Sequence, residues 1–166
     1  MSSSAQSHAP QGPDAEARSR QRWMSLLACA SHAELQARVP EIDPGADTLF
    51  LRRPETGLVM VRARTGGTGA QFNLGEMAVT RCALRLADGT VGMSYVRGRD
   101  AHHAQRAALV DAWMQQADRA GDLSAAWSRW IAPLEQARNA RHAQEAAQAQ
   151  STRVDFFTLM SAAGAA

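Results

Sequence analysis

Apolar residues first recur at helical spacing between residues 23 and 30. Trp23, Leu26, Leu27 and Ala30 stand at i, i+3, i+4 and i+7 and form one apolar stripe, so a helix is predicted there. Ser31 followed by Glu34 has the spacing of a capping box and predicts a second short helix over Ala33–Val39. Pro40 and the run Asp43-Pro44-Gly45 stop it. The period then shortens. Thr48–Arg53, Leu58–Thr65, Met77–Leu86 and Thr90–Val96 read as four strands, with a tight turn at Pro54-Glu55-Thr56-Gly57 and a two-residue hairpin turn at Asp88-Gly89. Connections this short favour an antiparallel meander, because a parallel pair needs a long crossover.

Helical spacing returns at Asp100, a plausible N-cap, and should persist to Ala120, with Gly121 ending the helix. Its stripe is Ala107, Val110, Met114 and Ala117, widened by Leu109 and Trp113. A helical turn with Trp127 and Trp130 follows, and Pro133 opens an Ala- and Gln-rich helix to about Thr152, polar on nearly every face. The expected class is α+β, an antiparallel four-stranded meander flanked by N-terminal and C-terminal helices. Residues 1–17, rich in Ser, Gln, Pro and Ala, read as a disordered lead. Residues 18–132 form the core domain, and 133–166 a polar helix with an apolar docking arm. In that arm Val154, Phe156, Phe157, Leu159 and Met160 offer more apolar surface than a tail leaves in water, so either the run folds back on the core or, as the favoured reading, it docks with Arg153 on a partner.

Composition narrows the chemistry. The chain has 166 residues and a formal charge of +2, with acidic and basic residues interspersed, so no nucleic-acid field is expected. All 18 basic residues are Arg. A Walker-A lysine, a Schiff-base lysine and a lysine general base are therefore excluded, and any anion must be held by guanidinium forks, backbone N–H groups or helix N-termini. Cys29 and Cys82 stand far apart and read as buried small hydrophobes rather than a disulfide. Neither a membrane span nor an export signal is visible, so the expectation is a cytoplasmic protein.

Two clusters qualify as anion or interface candidates. Arg64 with Gly66, Gly67, Thr68 and Gly69 sits between two strands, where consecutive backbone N–H groups could form a nest; a mobile hairpin loop is the bland alternative. Gly98, Arg99, Asp100 and His103 surround a helix N-terminus, which favours an anion; an exposed His beside a capping pair is the bland alternative. His102 and His103 diverge by about 100°, so they cannot share one metal, and one should face outward and one inward. Arg62 with Arg64, and Arg81 with Arg85, each share a sheet face. No catalytic or metal-binding set emerges.

Six ordered blocks resemble the PhnG family: Glu55-Thr56-Gly57-Leu58-Val59; Arg64 with Gly66-Gly67-Thr68-Gly69; Asp88-Gly89-Thr90; Gly98-Arg99-Asp100 with His103-Ala104; Asp111-Ala112 with Met114-Gln115-Gln116; and Arg153-Val154-Asp155-Phe156-Phe157-Thr158. The resemblance runs from about residue 20 to 160. It implies the G subunit of the bacterial carbon–phosphorus lyase core complex, which supports formation of a ribose 1-alkylphosphonate 5-triphosphate from ATP-Mg and a phosphonate. It further implies the I subunit as first partner, with the H, J and L subunits; since the chain shows no lysine, metal-ligand cluster or nucleophile–base pair, no cofactor is expected in it and the isolated chain is expected to be inactive. One departure is Gln105, where family members often carry an acid. Two other readings stay open: an independent enzyme acting on a phosphorylated metabolite through His103 and Arg99, and a scaffold without substrate contact.

Overall fold

A computed structural model of the chain describes residues 13–39, 48–66 and 68–151. The chain order is helix α1 (Pro13–Cys29), helix α2 (His32–Gln36), strands β1 (Thr48–Arg64), β2 (Gln71–Leu86) and β3 (Val91–Arg97), then helix α3 (Ala101–Ala120). Helix α4 (Leu123–Ala126) runs through a π-helical turn (Trp127–Ile131) into helix α5 (Ala132–Ser151). Helix α1 begins inside the stretch assigned to the N-terminal lead. The docking run from Arg153 to Met160 and the turn Asp43-Pro44-Gly45 lie outside the described residues.

The class is α+β, but among the described residues the sheet has three strands, in the order β1-β2-β3, both pairings antiparallel. The predicted turn at Pro54-Glu55-Thr56-Gly57 does not separate two strands. Register shifts between Phe50 and Arg52 and between Arg52 and Glu55 absorb it, and β1 continues. Since β1 is an edge strand, one side of its backbone has no ladder to lose, and irregularities there accommodate a proline that a central strand would reject. The β2–β3 turn is longer than expected. The Gly89 amide bonds to Leu86 O, the Leu86 amide bonds to Thr90 O, and Gly89 has φ 86°. That is a three-residue loop, a type I turn closed by a left-handed glycine.

Helix α3 is the centre of the molecule. Its ends follow the sequence: Asp100 caps it, and Gly121, with φ 79°, closes it in the left-handed conformation. It is buried on far more than one stripe, because the inner face of the sheet covers one side and α1 and α2 cover others. Ala104, Ala108 and Ala112, all fully buried at i, i+4 and i+8, bring its backbone close to β3. Opposite them stands Gly92, where an added Cβ would lie 2.0 Å from Ala108 O and 2.9 Å from the Ala112 Cβ. Leu84 and Val96 fill the sheet side of this contact, while Val110 and Met114, on the opposite side of α3, are buried in the same core. Burial of each contributes about 2–3 kcal/mol relative to exposure.

The capping box at α2 forms as read, with Ser31 Oγ accepting from the Glu34 amide and Glu34 returning to the Ser31 amide. Further along, Pro133 has no N–H and its ring crowds the carbonyl four residues back, so the helical run widens to a π turn immediately before it. Trp113 and Trp130 meet across that join with ring centroids 4.9 Å apart. Ion pairs Arg22–Glu135 and Arg141–Glu34 fix the first half of α5 beside α1 and α2, and from His142 to Ser151 every residue is exposed.

Candidate functional site

The α3 N-terminus is the most densely bonded polar cluster reached by the sequence candidates. Gly98, at φ 95°, turns the chain out of β3, a conformation that side chains disfavour. Thr80 Oγ1 donates to Gly98 O at 2.8 Å and accepts from the Asp100 amide at 3.2 Å. Asp100 Oδ1 then accepts from the His103 amide at 2.8 Å, while Oδ2 lies 2.8 Å from His32 Nδ1. Partial burial alone would raise the Asp100 carboxyl, but the His103 amide and the His32 imidazole outweigh it and hold it below the usual carboxylate range. The helix N-terminus thus already faces a carboxylate from its own chain, and Arg99 is exposed beside it.

The two histidines part as their spacing requires. His102 is exposed. His103 is buried, its Nε2 lying 2.8 Å from Leu27 O, which ties α3 to α1 and leaves the ring no opening to solvent. Burial pushes the His103 imidazole below its ordinary value, so the neutral ring with Nε2–H donating is the folded form. A base with a depressed folded pKa contributes stability that is complete above its unfolded pKa, near 6.5, and is lost as pH falls towards the folded value. The melting temperature should therefore fall between about pH 7 and pH 5, and His103→Gln, which keeps a donor for Leu27 O, should flatten that slope. An unchanged slope in the variant would remove His103 as its source.

The second candidate cluster lies elsewhere. Beyond Leu58 and Ala78, β1 and β2 continue as a two-stranded arm through Arg64↔Gln71, past the end of β3. At its tip Arg64 donates to Gly69 O at 3.2 Å, and the Gly69 amide bonds to Thr65 O. Gly66 has φ 59°, Thr68 is exposed, and Gly67 is outside the described residues. Since Gly98 bonds to Ala78 at the base of the arm, the six residue steps from 58 to 64 set the two clusters about 20 Å apart. The structure does not bring them into one site.

The arm carries what the sequence search for polar chemistry missed. Leu58, Met60 and Leu74 are 60%, 52% and 64% exposed, with Val59 and Phe72 also open. Alternation puts Leu58 and Met60 on one face and Val59 on the other, so apolar surface lies on both sides. A two-stranded ribbon has marginal stability in water, and among the described residues no third strand joins this one. The signal was legible in the apolar residues on both parities of β1, but the turn assigned at residues 54–57 hid the strand's length.

The Arg-rich faces are also divided. Arg81 and Arg85 share the outer sheet face with Glu55, which bonds Arg81 at 2.6 Å and Arg52 at 3.1 Å. Tyr95 and Glu55 raise the Arg81 guanidinium further. Arg62 and Arg64 occupy the opposite parity on the arm. Cys82 is buried and its thiol is pushed up to about 11, whereas Cys29 is exposed, contrary to its expected burial; both are free thiols. No group of three metal-ligating side chains occurs among the described residues, and no helix there is long and apolar enough to cross a membrane.

Fold and site define a small α+β domain whose best polar cluster caps a helix and whose most exposed feature is an apolar β-arm. The chain belongs to the phosphonate metabolism protein PhnG family, whose model matches residues 18–161. It is 42% identical over 147 residues to the alpha-D-ribose 1-methylphosphonate 5-triphosphate synthase subunit PhnG of Rhizobium meliloti (strain 1021). That alignment covers 89% of this chain and 92% of the relative.

Proposed function

We propose that this chain is an accessory subunit of the carbon–phosphorus lyase core complex in phosphonate catabolism, a cytoplasmic assembly that forms ribose 1-alkylphosphonate 5-triphosphate from ATP-Mg and a phosphonate. The relative's name as a synthase subunit supports membership of such a complex. The single observation that carries a subunit role is the β1–β2 arm, with large apolar side chains open on both faces. Such a ribbon gains stability when another protein covers it. The I subunit is the proposed first partner, with H, J and L completing the complex; the C-terminal run from Arg153 to Met160 is proposed as a second docking element. No residue here is proposed as catalytic, and substrate and metal chemistry is assigned to the partners. Arg99, exposed beside the α3 N-terminus, is the residue proposed to meet an anionic group.

The test is co-purification of the tagged full chain with co-expressed partner subunits. Replacing Leu58 and Met60 together by Ser should lower recovery of partners at least about tenfold while leaving the melting temperature within a few degrees, since neither side chain touches the core. Full recovery with the double variant would remove the arm from the interface.

A further inference from the structure

The free edge of β3 is blocked along one half and open along the other. The Gly98 amide bonds to Ala78 O and the Leu86 amide to Thr90 O, so the even-numbered residues of β3 direct their backbone groups at β2. Val91, Met93, Tyr95 and Arg97 consequently direct theirs outward. Side chains of α3 occupy the first of these: Gln115 Nε2 donates to Val91 O at 2.8 Å, and Asp111 Oδ2 accepts from the Met93 amide at 2.9 Å. For Met93 O, Tyr95 N and O, and Arg97 N, no bond is found among the described residues. Beside this open half, between β3 and α1, runs a groove of about 670 Å³ whose lining is mostly apolar, including Met24, Leu27, Ala28, Val96 and Ala107.

We propose that this groove receives an extended segment of another subunit of the complex, which adds to β3 as a fourth strand from Met93 to Arg97. The inference rests on the subunit reading above and identifies a second surface, on the opposite edge of the sheet from β1. A row of alternating outward N–H and C=O groups is met best by another extended backbone, and the apolar floor gives room for every second side chain of that strand. Arg97 is exposed at the open end, so the segment should carry a carboxylate there. Asp111 and Gln115 set where the added strand stops, which fixes its register.

Helix α5 passes the level of the groove well before the C-terminal phenylalanines begin. Glu135 pairs with Arg22 at the level of the groove, and Ser151 is sixteen residues (151 − 135) further along a helix, about 24 Å away. The twelve residues before Pro13 contain one large apolar side chain, Met1, and suit an apolar floor poorly.

Amide hydrogen exchange, measured on the isolated full chain and on the assembled complex, tests the proposal. The Ser94 and Val96 amides, bonded within the sheet, should exchange slowly in both. Those of Tyr95 and Arg97 should be unprotected in the isolated chain and slow by roughly a hundredfold or more in the complex. Ser25→Trp, placed at an exposed α1 position lining the groove, should reduce partner recovery about tenfold at unchanged melting temperature. Unprotected Tyr95 and Arg97 amides in an intact complex would overturn the added strand and leave the subunit reading standing. Failure of the wild-type chain to assemble at all would overturn both. Protection in the isolated chain that grows with its concentration, or that disappears on deleting residues 1–12 or 152–166, would assign the groove to a second copy or to one of the chain's own termini and also overturn the proposal.

Discussion

Asp111→Ala is expected to cost about 3–5 kcal/mol of folding stability, the usual consequence of removing one partner from a buried charge pair. Asp111 is fully buried on α3 and joins three elements. Its Oδ1 accepts from Arg20 Nε at 3.2 Å and Trp23 Nε1 at 2.8 Å, both on α1. Its Oδ2 accepts from Arg20 Nη2 at 2.8 Å, from the Met93 amide of β3 at 2.9 Å and from Gln115 Nε2 at 3.1 Å. Truncation leaves the Trp23 indole N–H, the Met93 amide and a half-buried guanidinium without their acceptor. For a domain of this size the melting temperature should fall by roughly 10 °C or more. Arg20→Leu should also destabilise, since it leaves the buried Asp111 carboxylate without its counter-charge, but by less, because three other donors still bond that carboxylate. Equal losses from the two variants would show that the Arg20 pair alone, not the wider set of bonds, carries the effect.

Gly92→Ala should be the second severe change, at about 3 kcal/mol. The new methyl would meet a backbone oxygen, Ala108 O, at 2.0 Å, and a carbonyl in the middle of a helix cannot rotate aside. Relief requires α3 to move off β3, which opens the tightly packed layer around Leu84, Val96 and Ala108. A truncation on the far side of α3 does not relieve a backbone clash against β3, so Gly92→Ala combined with Val110→Ala should be less stable still. Chemical denaturation of both variants checks this; a Gly92→Ala variant as stable as wild type would mean that helix and strand are not in such close contact.

These two residues mark what a linear reading could reach. Local chemistry was legible: the Ser31–Glu34 capping box, the Asp100 cap and the Gly121 stop are each written within a few neighbouring residues, and each forms. The Trp23-Leu26-Leu27 stripe is buried as its spacing requires. Long-range pairings were not legible. Apart from Gln115, four residues along the same helix, the donors to Asp111 come from positions 20, 23 and 93, and His32 reaches Asp100 across 68 residues, with no spacing rule connecting them. Gly92 reads as an ordinary strand glycine until the alanine row of α3 is laid against it.

The error at β1 has a different cause. Pro54 and Gly57 are strong turn signals in isolation, and only the strand's place at the sheet edge lets bulges accept them. Splitting β1 produced the four-stranded expectation and concealed the arm. The candidate site was likewise legible as residues but not as a place. Arg64 and the glycines lie at the arm's tip, Gly98 to His103 lie at the base, and the His103 ring faces α1 rather than solvent. The remaining docking residues, from Arg153 onward, lie outside the described residues.

The central claim is that this chain works as a subunit whose arm, not a catalytic group of its own, makes it necessary. Turnover of ATP and a phosphonate to ribose 1-alkylphosphonate 5-triphosphate, followed by phosphorus NMR, tests it most directly when the chain is assayed alone, in the assembled complex, and as the Leu58→Ser/Met60→Ser variant. The account predicts no product from the chain alone, product from the complex, and a loss of at least about tenfold with the variant. Sustained turnover by the isolated chain would contradict it.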